Sequence, residues 1–200
     1  MTLDDGLIDV APGKIAAVVT HLRMLAACPP RPARESGELS LRRVAQPSTP
    51  WYRELYARIG EDWLWFSRLR LEPAALAAIL ADERVEVYAL ACAGRDEGLL
   101  ELDFRAEGLC ELAFFGLAPA LIGQGAGRLL MNHAIARAWA RPIGCLWVHT
   151  STLDHPSALA FYLRSGFRPF KRQIEVAEDP RLTGHLPLGA APNVPILSCA

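Results

Sequence analysis

Leu117-Ala-Pro-Ala-Leu-Ile-Gly-Gln-Gly-Ala-Gly-Arg-Leu-Leu130 is the stretch on which the fold of this 200-residue chain turns. It closes a strand-like run from Cys110 to Leu117 and opens a helical pattern with Leu130, Ala134, Ile135, Ala138 and Trp139 on one face. Between the two, Gly123, Gly125 and Gly127 remove side chains that would hold a ligand away from the main chain. The first amides of a helix have no intrahelical partner, and they carry about half a positive charge. A strand, a bare loop and a helix start therefore make an anion site, for which a pyrophosphate is a natural guest.

Other phosphate loops fit poorly. A P-loop needs Lys-Ser/Thr after its last glycine, and Gly127 is followed by Arg128 and Leu129. The dinucleotide fingerprint needs Gly-x-Gly-x-x-Gly in a parallel unit, and neither Gly123 nor Gly125 starts that spacing. A simple glycine turn is the remaining alternative.

Upstream, Val85 to Cys92, Leu99 to Phe104 and Cys110 to Leu117 read as three strands. The segment Gly94–Gly98 and Gly108 supply the turns, so an antiparallel meander is expected. Downstream come a strand at Leu146 to Thr150, a helix at Pro156 to Ser165 stopped by Gly166, and a strand at Phe167 to Val176. Nearer the N-terminus, Ile15 to Leu25 reads as a strand. Prolines at 29, 30 and 32 and again at 47 and 50 break the chain. A helix then runs from Trp51 toward Gly60, and another starts at Glu72-Pro73. The order predicts an α+β domain with one mixed, mostly antiparallel sheet flanked by helices. We expect a single domain over 1–200, with a proline-punctuated tail from 178 wrapping the surface.

Composition narrows the class. Apolar residues make up 52% and charged residues 22%, as in ordinary globular proteins, and the net charge of -1 gives no global pull toward nucleic acid or an anionic membrane. No apolar run approaches the ~20 residues of a membrane span, and the acidic start lacks the basic region of a secretory signal. The five cysteines, 28, 92, 110, 145 and 199, are odd in number and widely spaced. Neither a disulfide framework nor a metal site is expected from them, and a reducing cytoplasm fits best.

The stretch from Leu117 to Leu130 resembles motif A of the GNAT acyltransferases, with Leu117, Pro119, Gly123, Gly125 and Gly127 in register. Ile122 departs from it, standing where the family usually has Arg or Gln; Gln124 or Arg128 could substitute. Asp154-His-Pro-Ser-Ala-Leu-Ala-Phe-Tyr-Leu-Arg-Ser-Gly-Phe167 resembles the family's motif B through Ala158, Phe161, Tyr162, Gly166 and Phe167, with His155 in the place of an asparagine. Two motifs in the right order are more specific than either alone, and the resemblance covers roughly Ile15 to Val176.

The resemblance implies a cofactor, acetyl-CoA, held between two splayed central strands by Phe115, Gly116, Leu117, Ile122, Gly123, Gln124, Gly125, Ala126, Gly127 and Arg128. It implies that Tyr162 protonates the departing thiolate, and that amides near Phe115–Leu117 polarise the thioester, with a bulge at Gly116 re-aiming one of them. An ammonium of pKa ~10.4 must lose a proton, at roughly 4–5 kcal/mol near neutral pH. Glu111 occupies the strand position of the glutamate base in the histone-acetylating branch, and alternatively only faces solvent. His149, at a strand end beside the cleft, is the second candidate base. Asp154 and His155 come third as bases and read rather as helix caps; Glu101 and Asp103 alternate with Leu100, Leu102 and Phe104, and at most one carboxylate is expected to reach the site.

The acceptor expected is a small-molecule or peptide primary amine. The family docks it near a segment that here holds Trp51, Tyr52, Tyr56, Trp63, Trp65 and Phe66, alternatively a core-packing pair. A homodimer is compatible with the sequence. A non-catalytic acyl-CoA-binding module and a nucleotide-binding regulator are the competing functions.

Overall fold

Apolar and β-branched residues alternating with exposed ones make the first strand, β1 (Lys14–Met24), which buries Ile15, Ala17 and Val19. The computed structural model describes residues 4–33 and 38–198; Cys199 lies outside the described residues. A short strand, β2 (Leu39–Val44), follows between the two proline breaks, where the sequence reading assigns no element. Its pattern is only half apolar, and pairing with the next strand, not intrinsic propensity, extends it.

Helix α1 (Thr49–Gly60) starts where the Ser48 side chain accepts from the Trp51 amide, and Pro50 sits in the first turn. Helix α2 (Pro73–Ala81) likewise begins on a proline. Then come β3 (Val85–Cys92), β4 (Arg95–Asp103) and β5 (Leu109–Leu117). The expected turn over Gly94–Gly98 is shorter than read: Ala93 and Gly94 alone take left-handed backbone, and β4 starts at Arg95. Gly98 lies within the strand, where a Cβ would come within 2.9 Å of Leu90 and Leu117. It is a packing glycine, not a turn glycine.

Helix α3 (Ala126–Trp139), β6 (Cys145–Ser151), α4 (Ala158–Arg164) and β7 (Arg168–Glu178) complete the element order. The seven strands form one α+β sheet in the order β2-β3-β4-β5-β6-β1-β7. Only β5 and β6 run parallel, as the α3 crossover between them requires. Helix α3 packs Leu130, Ala134 and Ala138 on one face with Leu100, Leu102, Leu146 and Val148. The other face packs Val85, Val87 and Leu99 against Tyr52, Leu55 and Ile59 of α1 and Leu76 of α2.

The tail does more than wrap the surface. Arg181 and Asp179 form a buried ion pair at 2.7 Å, and Arg181 also donates to the carbonyls of Ala190 and Val194. This knot seats Leu186, Ala190 and Ala191 against Ile15 and Leu64 as a third core.

Candidate active site

The sheet opens along one seam. Strands β5 and β6 pair from Leu109↔Cys145 to Glu111↔Trp147 and then part. Beyond that point β5 stays with β4 as far as Leu117↔Gly98, and β6 stays with β1 as far as Ser151↔Val19. The pairing of β4 with β5 slips between Glu101↔Phe114 and Leu102↔Leu112, leaving Ala113 as the extra residue of a bulge. The bulge expected at Gly116 therefore lies three residues earlier. A bulge twists its strand and re-aims the residues beyond it, here just where β5 leaves β6. Gly116 has another cause: a Cβ there would stand 2.4 Å from Ile59 and 2.8 Å from the Trp65 ring.

Between the parted strands lies a cavity of about 540 Å³, lined by β5 from Leu112 to Leu117 and by Val148, His149 and Ser151 of β6. At one end is the glycine loop. Gly123 and Gly125 have φ of 82° and 87°, and Gly125 caps α3 without a side chain. Nothing lies within 4 Å of a Cβ placed on Gly123, so its role is conformational. Ile122, Gly123, Gly125, Gly127 and Arg128 line the cavity. Gln124 does not; its amide donates to the Ala120 carbonyl at 2.6 Å and braces the loop. Ala126 is buried beneath it.

Arg128 lies over the Phe161 ring at 4.9 Å and donates to Ser165 Oγ at 3.1 Å. Burial lowers its pKa, and the nearby guanidinium groups of Arg31 and Arg164 lower it further. Arg164, which lies outside the residues that carry the motif resemblance, also lines the cavity. Unbalanced positive charge beside open amides suits a pyrophosphate, so the cradle fits coenzyme A.

Tyr162 also lines the cavity, packed against Phe115, Phe161 and Phe167. Burial raises its pKa, and the Asp154 carboxylate raises it further, so the phenol holds its proton.

The two candidate bases meet at the seam. His149 lines the cavity, and Glu111 stands behind it with Oε1 3.6 Å from His149 Nδ1. That is an ion-pair distance rather than a hydrogen bond. Glu111 is the largest influence raising the His149 pKa, with burial opposing it. On β1, His21 sits 5.7 Å from His149 and is shifted down, by burial first and then by His149. No sequence signal marks His21, because its pairing with His149 is a matter of strand register.

Glu101 and Asp103 are engaged away from the cavity. Glu101 is fully buried, accepting from Tyr52 and Arg68, and Asp103 is paired with Arg105. His155 Nδ1 accepts from the Ser157 amide in the turn ahead of α4; the helix begins at Ala158, later than the expected Pro156, with Ser157 and not His155 as its N-cap. Asp154 accepts from Thr150 and the Ser151 amide, and also from Trp65 Nε1 across the cavity at 3.1 Å. Tyr56, Trp63, Trp65 and Phe66 line the other end, whereas Trp51 and Tyr52 are tied to Asp96 and Glu101.

Comparison with known proteins agrees with this geometry. A family model, the acetyltransferase (GNAT) family, matches residues 39–167. No curated protein sequence matches. Among solved structures, a GCN5-related N-acetyltransferase from Sphaerobacter thermophilus is similar with a TM-score of 0.63 at 13% identity, over 84% of this chain and 53% of that one. A GCN5-related N-acetyltransferase from Kribbella flavida has a TM-score of 0.52 at 17% identity, over 86% of this chain and 63% of that one. An aminoglycoside acetyltransferase from an uncultured soil metagenomic sample has a TM-score of 0.51 at 17% identity, over 64% of this chain and 87% of that one. The chain thus spans about half the length of the Sphaerobacter protein. At these identities the likeness is one of fold. The family match covers both motifs and the seam between β5 and β6, and on that ground the chain belongs to the GNAT acetyltransferase family.

Proposed function

We propose that the protein transfers an acetyl group from acetyl-CoA to a primary amine by direct attack on the thioester. The observation that carries this reading is the parting of β5 from β6 beside the glycine loop. It leaves one edge of β5 without a strand partner and places it in a cavity with Tyr162 and His149. Acetyl-CoA supplies the activated acyl group. Gly123, Gly125, Gly127 and Arg128 hold its pyrophosphate, while Phe115, Gly116 and Leu117 receive the arm and polarise the carbonyl through their amides.

His149 takes the ammonium proton, and Glu111 orients the ring and favours its charged form. Tyr162 gives a proton to the sulfur as the carbon–sulfur bond breaks. The free thiols at 28, 92, 110 and 145 suit a reducing compartment such as the cytoplasm.

A melting-temperature comparison tests the cofactor. Acetyl-CoA should raise Tm, and ATP and NAD should not; a rise with the nucleotides alone would sink the reading. Thiol release tests turnover. Tyr162→Phe should lower kcat about 10-fold while leaving acetyl-CoA affinity in place. Indifference to that change would favour a module that binds acyl-CoA without turning it over.

A further inference from the structure

The cavity is divided by charge. Its charged lining at the glycine end is Arg128 and Arg164; at the other end it is Asp154 and Glu175, beside Trp63, Trp65 and Phe66. Arg68 lies over Phe114 on this side and Arg70 over Phe66; Glu101 engages Arg68, and neither guanidinium lines the cavity. Among the described residues no arginine or lysine lines the aromatic end.

The aromatic wall is built before any ligand arrives. Leu64, between the two tryptophans, has φ of 51°, a left-handed conformation that a leucine seldom adopts. It is held there because its side chain is buried against Leu186, Ala190 and Ala191 of the tail. The turn seats the Leu64 side chain in that core, and Trp63 and Trp65 on either side of it line the cavity with it. Asp154 fixes the Trp65 indole, whose ring packs on Tyr56 and Phe114 at 5.4 and 5.5 Å. Trp63 stands against His155 at 5.0 Å.

A rigid apolar wall next to carboxylates selects by chemistry. An ammonium on a flat apolar body satisfies both features. A polyhydroxylated amine would leave hydroxyls unpaired against the rings. An amino acid would bring its carboxylate toward Asp154 and Glu175. We infer that the acceptor is an arylalkyl primary amine without a carboxylate, an inference that rests on the acetyltransferase reading above.

The test measures thiol release from acetyl-CoA with 2-phenylethylamine, phenylalanine, an aminoglycoside and a lysine-containing peptide. The first should exceed each of the others in kcat/KM by about 10-fold or more. Trp63→Ala should raise KM for 2-phenylethylamine about 10-fold with kcat held, and Trp63→Phe should restore most of it. Equal or better turnover of phenylalanine, the aminoglycoside or the peptide overturns the inference. So does silence across the panel while acetyl-CoA still raises Tm, an outcome that leaves the cofactor cleft standing. Failure of acetyl-CoA to bind overturns the reading beneath it, and the inference with it.

Discussion

Strands β2 to β5 form one half of the sheet and β6, β1 and β7 the other, and the two halves are finished differently. The first is covered by α1 and α2 on one face and α3 on the other, and its buried acids are saturated with partners. Glu86 accepts from Arg137, Arg141 and Tyr88, and Glu101 from Arg68 and Tyr52. In the second half β7 is exposed along nearly its whole length, and His149 is half-exposed. Within the first half, Glu101 and Glu111 show that the change begins at the seam. They lie on neighbouring strands, but one is locked in a network and the other has a single loose partner. Chemistry needs a group whose protonation can change, and the buried acids Glu86 and Glu101 of the first half are held by their arginines. The candidate base stands on the first strand of the open half, where it borders the seam.

Breaking the saturated half should cost the most. Arg68→Ala leaves a fully buried carboxylate with only a tyrosine hydroxyl, and a loss of about 3–5 kcal/mol is expected. Urea unfolding measures it. The matching change in the open half, His149→Gln, should leave stability within about 0.5 kcal/mol, as at other partly exposed positions. Its effect should fall on kcat/KM, lowered about 10²–10³-fold by loss of the base. If both variants lose stability alike, the contrast between the halves is wrong.

The same division sets what can be seen in the sequence. Gly123, Gly125 and Gly127 have a local function, and local spacing exposes it; the helices α1 and α3 show their own periods. Strand β2 has no such signal, since pairing with β3 makes it a strand. The sequence misplaces the bulge because Gly116 looks like a backbone feature, yet Trp65, 51 residues upstream, excludes its side chain. Glu111 and His149 are each legible as candidates, but their order is not. Which one faces the cavity depends on where β5 parts from β6, beside a bulge at an unremarkable alanine. Trp65 reaching Asp154, and Leu64 strained against the tail, are likewise contacts between distant segments.

The smallest effect expected tests the seam itself, because Glu111 belongs to one half and His149 to the other. As a base, His149 must be neutral, so kcat/KM should rise with pH as the imidazolium loses its proton. Glu111 raises that pKa, placing the limb above the ordinary histidine value of about 6.5. Glu111→Gln removes the largest attraction for the charged ring, leaving Asp154 and Glu175 to favour it against burial, so the limb should move to lower pH than in the unaltered protein. At high pH the variant should lose no more than about 10-fold, since the base itself remains. Were Glu111 instead the group that accepts the proton, its removal would abolish the limb and depress the rate at every pH. A pH profile of kcat/KM for the single variant separates the two, and a limb that stays where it was would disconnect the halves.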